Sequence, residues 1–117
     1  MIDRIRLTAA AKIQLVTLKR RTGIEHNNAL CRHALCASLS NPAHMPSEVL
    51  NFSNGIEIDW RTFTGNNEVV YYNLVVMRML KDQIKISENS VKEVATLHTH
   101  RGLSLLVGQK SNELVAF

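Results

Sequence analysis

Residues 4–39, RIRLTAAAKIQLVTLKRRTGIEHNNALCRHALCASL, decide the fold of this chain. At the start of this segment Ile5 and Leu7 alternate with arginines, which places apolar side chains on one face of an extended segment and cations on the other. The alternation predicts a short strand over residues 4–8. From Thr8, a residue type that caps helix N-termini, the apolar spacing becomes helical, and Gly23 supplies the left-handed conformation that ends helices.

Two helices are therefore predicted around this glycine. The buried stripe of the first is expected to consist of Leu7, Ala11, Leu15 and Leu18, widened by Ile13 and Val16. The inner face of the second is expected to consist of Leu30, Cys31, Ala34, Leu35, Ser38 and Leu39. Asn27 and Asn28 are alternative N-caps for the second helix. The N-terminal unit thus has the order strand, helix, glycine turn, helix.

The composition is that of one globular domain over residues 1–117, with 45% hydrophobic residues. The sequence contains neither an apolar run long enough to span a membrane nor the apolar region of a signal peptide, so we expect a cytoplasmic protein without membrane contacts. Cys31 and Cys36 lie five residues apart on one predicted helix, about 140° from each other. A disulfide between them is disfavoured, and both are expected to be small core residues in a reducing compartment.

Positive charge is concentrated in the N-terminal third. The chain carries a net charge of +4, of which residues 1–36 contribute +5 and residues 37–117 contribute −1. Such a local concentration is expected of a surface that binds a polyanion, most often nucleic acid. The alternative is a solvated helix face that binds nothing. The predicted DNA-binding residues are Arg4, Arg6, Lys12, Lys19, Arg20, Arg21 and Arg32.

The middle of the chain is predicted to be an exposed connection followed by a small hairpin or an irregular excursion. Both prolines lie in residues 40–48, and an Asn-Gly pair separates two short alternating runs, residues 49–52 and 56–60. Trp60 is expected to be a packing anchor of this excursion rather than a platform on which bases stack. Residues 62–67 are predicted to be a second polar break, in which Asn66 or Asn67 caps the next helix.

Residues 68–84 are apolar on almost every side, as in a helix that is buried on more than one side. In a small chain this pattern favours an oligomer interface. The predicted interface residues are Val69, Tyr72, Val76 and Met79. A capping-box pattern from Ser90 to Glu93 predicts the start of a last helix that ends near Gly108, followed by a short tail that frays from Gln109.

Catalytic motifs are absent from the sequence. It contains no phosphate-binding glycine loop, no nucleophile elbow and no paired acidic motif. His98 and His100 are two residues apart on a predicted helix, so they point in nearly opposite directions and cannot hold one metal ion. We therefore expect binding rather than catalysis, with no metal and no cofactor.

The N-terminal unit resembles the ribbon-helix-helix pattern of Arc- and MetJ-type repressors, in which two chains pair their strands and insert them into a major groove. That resemblance implies that Arg4, Arg6 and Thr8 face the bases. A wider resemblance covers nearly the whole chain. The segments N-A-L-C-R-H-A-L-C near residue 30, E-I-D-W-R-T-F-T-G at 57–65 and H-R-G-L at 100–103 resemble the DndE family of the bacterial DNA phosphorothioation system.

The DndE resemblance implies a mainly α-helical, tetrameric protein that binds DNA, prefers nicked duplex and works beside DndC and DndD without enzymatic activity of its own. Two alternatives remain. One is a sequence-specific repressor or antitoxin that reads DNA with its strand. The other is a scaffold subunit whose apolar helix, residues 68–84, docks the modification enzymes.

Overall fold

The computed structural model describes residues 1–109. Within this range the chain is mainly α-helical, as predicted, with five helices and one pair of short strands. The elements in chain order are β1 (Arg4–Leu7), α1 (Ala9–Thr22), α2 (Asn27–Ser40), β2 (Ile56–Asp59), α3 (Trp60–Thr64), α4 (Glu68–Lys81) and α5 (Glu88–Gly108).

The strand, the helix α1 and both of its ends follow the sequence prediction. Ile5 and Leu7 are fully buried. The Thr8 hydroxyl accepts a hydrogen bond of 3.1 Å from the backbone N–H of Ala11 and so caps α1. Gly23 has φ of 75°, and its N–H donates to the carbonyl of Lys19.

The predicted width of the α1 stripe is wrong. Ile13 and Val16 were expected to face the core, but 67% and 59% of their surfaces are exposed. At about 100° per residue, Ile13 lies roughly 200° around the helix from Ala11, and Val16 lies roughly as far from Leu18. Because the core reaches only the Ala11, Leu15 and Leu18 side of α1, these two aliphatic side chains face outward.

The central packing contact is between α2 and α5. The predicted inner face of α2 is buried from Leu30 to Ser38. On α5, a Cβ atom at Gly102 would lie 1.7 Å from the carbonyl oxygen of Ala34, so the two helix backbones touch there. This approach requires glycine at position 102.

Two details of α2 differ from the predictions. Because the helix already begins at Asn27, its N-cap position is occupied by His26 rather than by Asn27 or Asn28. The His26 side chain makes no cap hydrogen bond. Both cysteines are free thiols, and Cys31 is buried as expected, but Cys36 is exposed. The 140° rotation that disfavours a disulfide also turns Cys36 away from the core.

The sheet is formed by pairing across the chain rather than by a local hairpin. Strand β2 runs antiparallel to β1, with Ile5 opposite Ile58 and Leu7 opposite Ile56. The hairpin alternative is therefore wrong, and residues 41–55 contain neither helix nor strand, as in an irregular excursion. The Asn-Gly signal does mark a turn, since Gly55 N–H donates to Phe52 O. A Cβ atom at Gly55 would lie 1.8 Å from the carbonyl oxygen of Leu7. The chain therefore passes too close to β1 for any side chain at position 55.

Helix α3 lies partly where a polar break was predicted. The Asp59 carboxylate accepts a hydrogen bond of 3.0 Å from the N–H of Thr62 and caps this short helix, and Gly65 ends it with φ of 61°. The anchoring role of Trp60 is confirmed, because only 1% of its surface is exposed and its ring stacks on Phe63 at 5.2 Å.

Within the described part of the chain, helix α4 packs on one side only. Its buried residues are Val75, Arg78 and Met79. The apolar residues that α4 leaves exposed are Val69, Val70, Leu74, Met77 and Leu80. The helix ends at Lys81, short of the predicted position 84.

The last helix begins earlier than predicted. A capping box is present, but it joins Ser87 and Ser90 instead of Ser90 and Glu93, so that α5 starts at Glu88. A serine at the third helical position serves here as well as the expected glutamate, because its hydroxyl also reaches the backbone N–H of the N-cap residue. The predicted end near Gly108 is confirmed, and most of the predicted frayed tail, residues 110–117, lies outside the described residues.

Candidate nucleic-acid interface

The seven cations predicted to bind DNA do not form one continuous surface. The structure divides them into two on the strand pair (Arg4 and Arg6), two that hold the chain's own backbone (Arg21 and Arg32) and three on the outer side of α1 (Lys12, Lys19 and Arg20).

The strand cations face carboxylates. In the register of the sheet Arg4 lies opposite Asp59, and Arg6 lies opposite Glu57. Glu57 lies 3.2 Å from Arg4 Nη1 and 3.5 Å from Arg6 Nε, and its hydrogen bond raises the pKa of Arg4. The two cations and two carboxylates leave the outer face of the strand pair without net charge. This face is therefore poorly suited to a polyanion.

Near the same strand, Asp3 is also paired. Its carboxylate accepts a hydrogen bond of 2.8 Å from Lys92 Nζ, which together with the N–H of Arg4 holds the pKa of Asp3 well below its usual range. The guanidinium of Arg6 lies 4.9 Å from the centre of the Phe52 ring, a cation–π distance. The cations at this end of the molecule are thus used within the chain.

The pairing of β1 also differs from the ribbon-helix-helix arrangement. In that arrangement the strand of one chain pairs with the same strand of a second chain. Here β1 pairs with β2 of its own chain. The resemblance of the N-terminal unit holds for the order of its elements and not for its strand pairing.

Arg21 and Arg32 each donate to a backbone carbonyl of the chain. Arg32 Nη1 lies 3.0 Å from the carbonyl oxygen of Phe63 and links α2 to α3. Arg21 Nη1 lies 2.7 Å from the carbonyl oxygen of Val107 near the end of α5. Both side chains contribute to the packing of helices.

The remaining three cations form the best candidate site. Lys12 and Arg20 are exposed and Lys19 is half-exposed, and within residues 1–109 none of them has a carboxylate within salt-bridge distance. Val16 lies among them, since its neighbours at helical spacings of three and four are Lys12, Ile13, Lys19 and Arg20. We call these five residues the cationic face of α1. It combines uncommitted positive charge with an apolar centre.

A buried cluster that joins α2, α4 and α5 was not predicted from the sequence. Arg78 pairs with Asp82 at 2.8 Å and donates to the carbonyls of Leu39 and Asn41 at the end of α2. Arg101 Nη2 donates to the carbonyl of Ser38 at 2.7 Å. Helix α2 has no basic residue in its last turn, so the two guanidinium groups take the place of such a residue at the negative end of the helix dipole. The absence of a basic residue from the last turn of α2 is the sequence signal from which this cluster could have been predicted.

A serine–histidine contact lies inside this cluster. Ser38 Oγ accepts a hydrogen bond from Arg101 Nε and lies 2.7 Å from His98 Nδ1. Both Ser38 and His98 are fully buried, and burial together with the nearby arginines lowers the pKa of His98 to about 4. The hydroxyl and the imidazole are not accessible to a substrate in this state, so the contact serves packing.

The two neighbouring histidines of α5 make separate contacts. His100 Nε2 accepts a hydrogen bond of 3.1 Å from the N–H of Thr8, while His98 contacts Ser38. Within the described part of the chain, no cluster of three or more histidine, cysteine or acidic side chains could hold a metal ion.

The predicted oligomer residues on α4 do not share one surface. Val69 is exposed, and Tyr72 and Val76 are half-buried. Met79 is fully buried in the chain's own core, so its side chain is not available to a second copy. Met77, with 65% of its surface exposed, lies on the open side instead. Among residues 1–109, no helix is both long and apolar enough to cross a membrane.

Taken with the fold, this surface defines a small, mainly helical protein in which one helix presents cations that have no carboxylate partner among residues 1–109. The family model described as DNA sulphur modification protein DndE matches residues 4–113. The chain therefore belongs to the DndE family, which associates it with DNA phosphorothioation.

A solved structure supports the fold. The crystal structure of DndE from Escherichia coli B7A, described as involved in DNA phosphorothioation modification, aligns with a TM-score of 0.74 and 20% sequence identity. The alignment covers 91% of this chain and 98% of the E. coli chain. Among curated protein sequences, none matches this chain significantly.

Proposed function

We propose that this protein is a non-catalytic DNA-binding subunit of the DNA phosphorothioation machinery, which holds duplex DNA, preferentially nicked, on the cationic face of α1. The observation that carries the proposal is that Lys12, Lys19 and Arg20 share the outer side of one helix without a carboxylate partner within residues 1–109. Free cations at this spacing suit phosphates, because each contact releases a condensed counterion.

The mode of binding follows from the chemistry of this face. Lysine and arginine contacts to phosphates fix position and carry little sequence information. The arginines that would read bases in a ribbon, Arg4 and Arg6, are paired with Glu57. A phosphate-holding surface therefore favours structure-dependent over sequence-dependent binding, and a nick, which makes the duplex flexible, lowers the cost of fitting DNA to the protein.

A homo-oligomer, which we expect to be a tetramer, would repeat the cationic face. The open side of α4 supports this part of the proposal, because Val69, Val70, Met77 and Leu80 each expose more than half of their surface. Covering such side chains with a second copy removes apolar surface from water. Repetition by symmetry would multiply the local field around each bound duplex.

The absence of catalysis is also part of the proposal. The serine–histidine contact that could suggest nucleophilic chemistry is buried, and both of its members are held by the packing of α2 against α5. The burial that raises the pKa of the Cys31 thiol to about 12 also removes it as a nucleophile at neutral pH. In this proposal the chemistry of sulphur transfer belongs to partner proteins such as DndC and DndD.

The test is DNA binding at several salt concentrations. Three labelled duplexes are compared: intact, singly nicked, and intact with a scrambled sequence. If three phosphates are neutralised per chain, log affinity should fall with log salt concentration with a slope of about −2.7. We expect preference for the nicked duplex and indifference to scrambling.

Charge-reversal variants locate the surface. Lys19→Glu and Arg20→Glu should weaken binding to all three duplexes alike. Lys85→Glu is the matched control, because it makes the same charge change at an exposed lysine outside α1. A flat salt response, or equal affinities of the α1 variants and the control, would contradict the proposal.

A second candidate function is that of a scaffold that docks the modification enzymes through α4. The exposed apolar side chains of α4 favour it as much as they favour self-association. The test is co-purification with DndC and DndD after Met77→Asp and Leu80→Asp. Loss of the complex with unchanged DNA binding and unchanged oligomer mass would support the scaffold, and an undisturbed complex would exclude α4 as its docking surface.

A further inference from the structure

The cationic face of α1 contains two aliphatic side chains that the folded chain leaves in water. Ile13 and Val16 both belong to α1, and they expose 67% and 59% of their surfaces. They lie three residues apart and so form one apolar patch. Isolated exposed aliphatic residues need no explanation, but this pair lies inside the proposed DNA-binding surface.

The charges around this pair limit what can cover it. Lys12, Lys19 and Arg20 surround Val16 at helical spacings of three or four, and α1 itself contains no acidic residue. The first turn of α1 contains no acidic residue, and its last turn contains three basic ones. A partner with an apolar surface between negative charges complements such an arrangement.

The dimensions agree with DNA. Lys12 and Arg20 are eight residues apart, which corresponds to about 12 Å along the helix axis. Phosphates of one strand repeat about every 3.4 Å along the duplex axis, so the cations span roughly three to four base steps. Apolar side chains of other DNA-binding proteins insert between bases where the stack can open. Opening an intact base stack costs free energy, whereas an interruption of one strand already provides an opening.

We propose that Ile13 and Val16 contact nucleobases exposed at an interruption of the DNA strand, while Lys12, Lys19 and Arg20 hold the phosphates on either side. This inference rests on the proposed DNA binding and assigns to the aliphatic pair the preference for nicked over intact duplex. The cations provide affinity for any duplex, and the aliphatic pair provides discrimination.

The test replaces both aliphatic residues by threonine, in the double variant Ile13→Thr/Val16→Thr. Threonine is also β-branched and has a similar helix propensity. It is nearly isosteric with valine and one methyl group smaller than isoleucine, and it replaces apolar surface by a hydroxyl. The matched control is Val49→Thr/Ile86→Thr, which makes the same two substitutions at exposed aliphatic residues outside the helices. Thermal unfolding checks whether both double variants remain folded.

The readouts are affinity for nicked and intact duplexes of one sequence, and the fluorescence of 2-aminopurine placed beside the nick. Wild type and control should prefer the nicked duplex and raise the fluorescence as the base unstacks. The α1 double variant should keep its affinity for intact duplex and its salt slope, but its preference for the nick should fall by about five- to tenfold. Its fluorescence change should be lost.

Several outcomes would overturn the inference, and they separate it from the proposed function. If wild type binds no DNA, the proposed function itself fails. If the α1 double variant binds DNA and retains the nick preference, only the inference fails. If wild type binds intact and nicked duplex equally, the inference fails together with the nick preference in the proposed function, while the proposed DNA binding stands. A change in oligomer mass of the variant by light scattering would assign Ile13 and Val16 to a subunit contact. Binding of wild type to phosphatidylserine vesicles with no affinity for DNA would assign the face to a membrane.

Discussion

The contact between α2 and α5 gives the sharpest test of the fold. Replacing Gly102 by alanine adds one methyl group at the point where the helices are closest. Its carbon would lie 1.7 Å from the carbonyl oxygen of Ala34, and 2.3 and 2.7 Å from the carbonyl carbon and Cα of the same residue. All three atoms belong to the backbone, so no side-chain rotation can make room.

The magnitude follows from that geometry. An ordinary contact of about 3.2 Å requires the helices to separate by roughly 1.5 Å, and overpacking of a core costs about 1–3 kcal/mol, with rigid backbone at the upper end. Alanine offsets up to about 1 kcal/mol through its better helix propensity. The expected net loss is about 2 kcal/mol, or a fall of roughly 6–12 °C in Tm for a chain of this length.

The assay is urea and thermal unfolding of Gly102→Ala beside Gly108→Ala. Both substitutions lie in α5, but nothing lies within 4 Å of a Cβ atom at Gly108. The control should be neutral or slightly stabilised. Equal stability of the two variants would refute the reasoning, because propensity alone would then explain both.

Three further predictions concern the buried cluster and the sheet. Arg78→Ala should lower the free energy of unfolding by about 3–5 kcal/mol, since it removes a buried ion pair, whereas Arg61→Ala at an exposed arginine should cost less than about 1 kcal/mol; urea unfolding of both checks this. The pKa of His98 is about 4 in the folded chain and about 6.5 when unfolded, so between these values the unfolded chain binds the extra proton. Stability should therefore decrease as pH falls through this window, by up to about 3 kcal/mol, and the decrease should be smaller in His98→Gln when unfolding is measured at pH 7 and pH 4.5. Gly55→Ala places a methyl group 1.8 Å from the carbonyl oxygen of Leu7 and should speed amide hydrogen exchange in β1; unchanged exchange would contradict the close contact.

The parts of the fold that local chemistry determines were predictable from the sequence. The Thr8 cap, the Gly23 stop and the inner face of α2 depend on residues a few positions apart, and all three are confirmed. The short helix α3 was missed, although Asp59 as a cap and Gly65 as a stop were present as signals. An N-cap residue followed six residues later by a helix-ending glycine is also the pattern of a turn, so this pattern alone did not predict a helix.

The parts that depend on distant partners were not predictable. Which side of α1 is covered depends on where the core lies, and periodicity alone did not show that Ile13 and Val16 stay outside it. The pairing of β1 with β2 was equally unpredictable, because the Asn-Gly turn suggested that residues 56–60 pair with residues 49–52 instead. For the candidate site, charge in the sequence predicted seven cations without separating them, and only the packed structure shows that Arg4 and Arg6 face Glu57.

The long-range strand pair has a consequence for synthesis of the chain. Ile5 and Leu7 leave the ribosome before β2, and their partners in β2 follow about 50 residues later. At about 5–20 residues per second, the first strand waits roughly 3–10 s before its partner is available. During that interval α1 and α2 also lack α5, their main packing partner, so the apolar faces of both helices and the two apolar residues of the strand remain open to chaperones or to a neighbouring nascent chain.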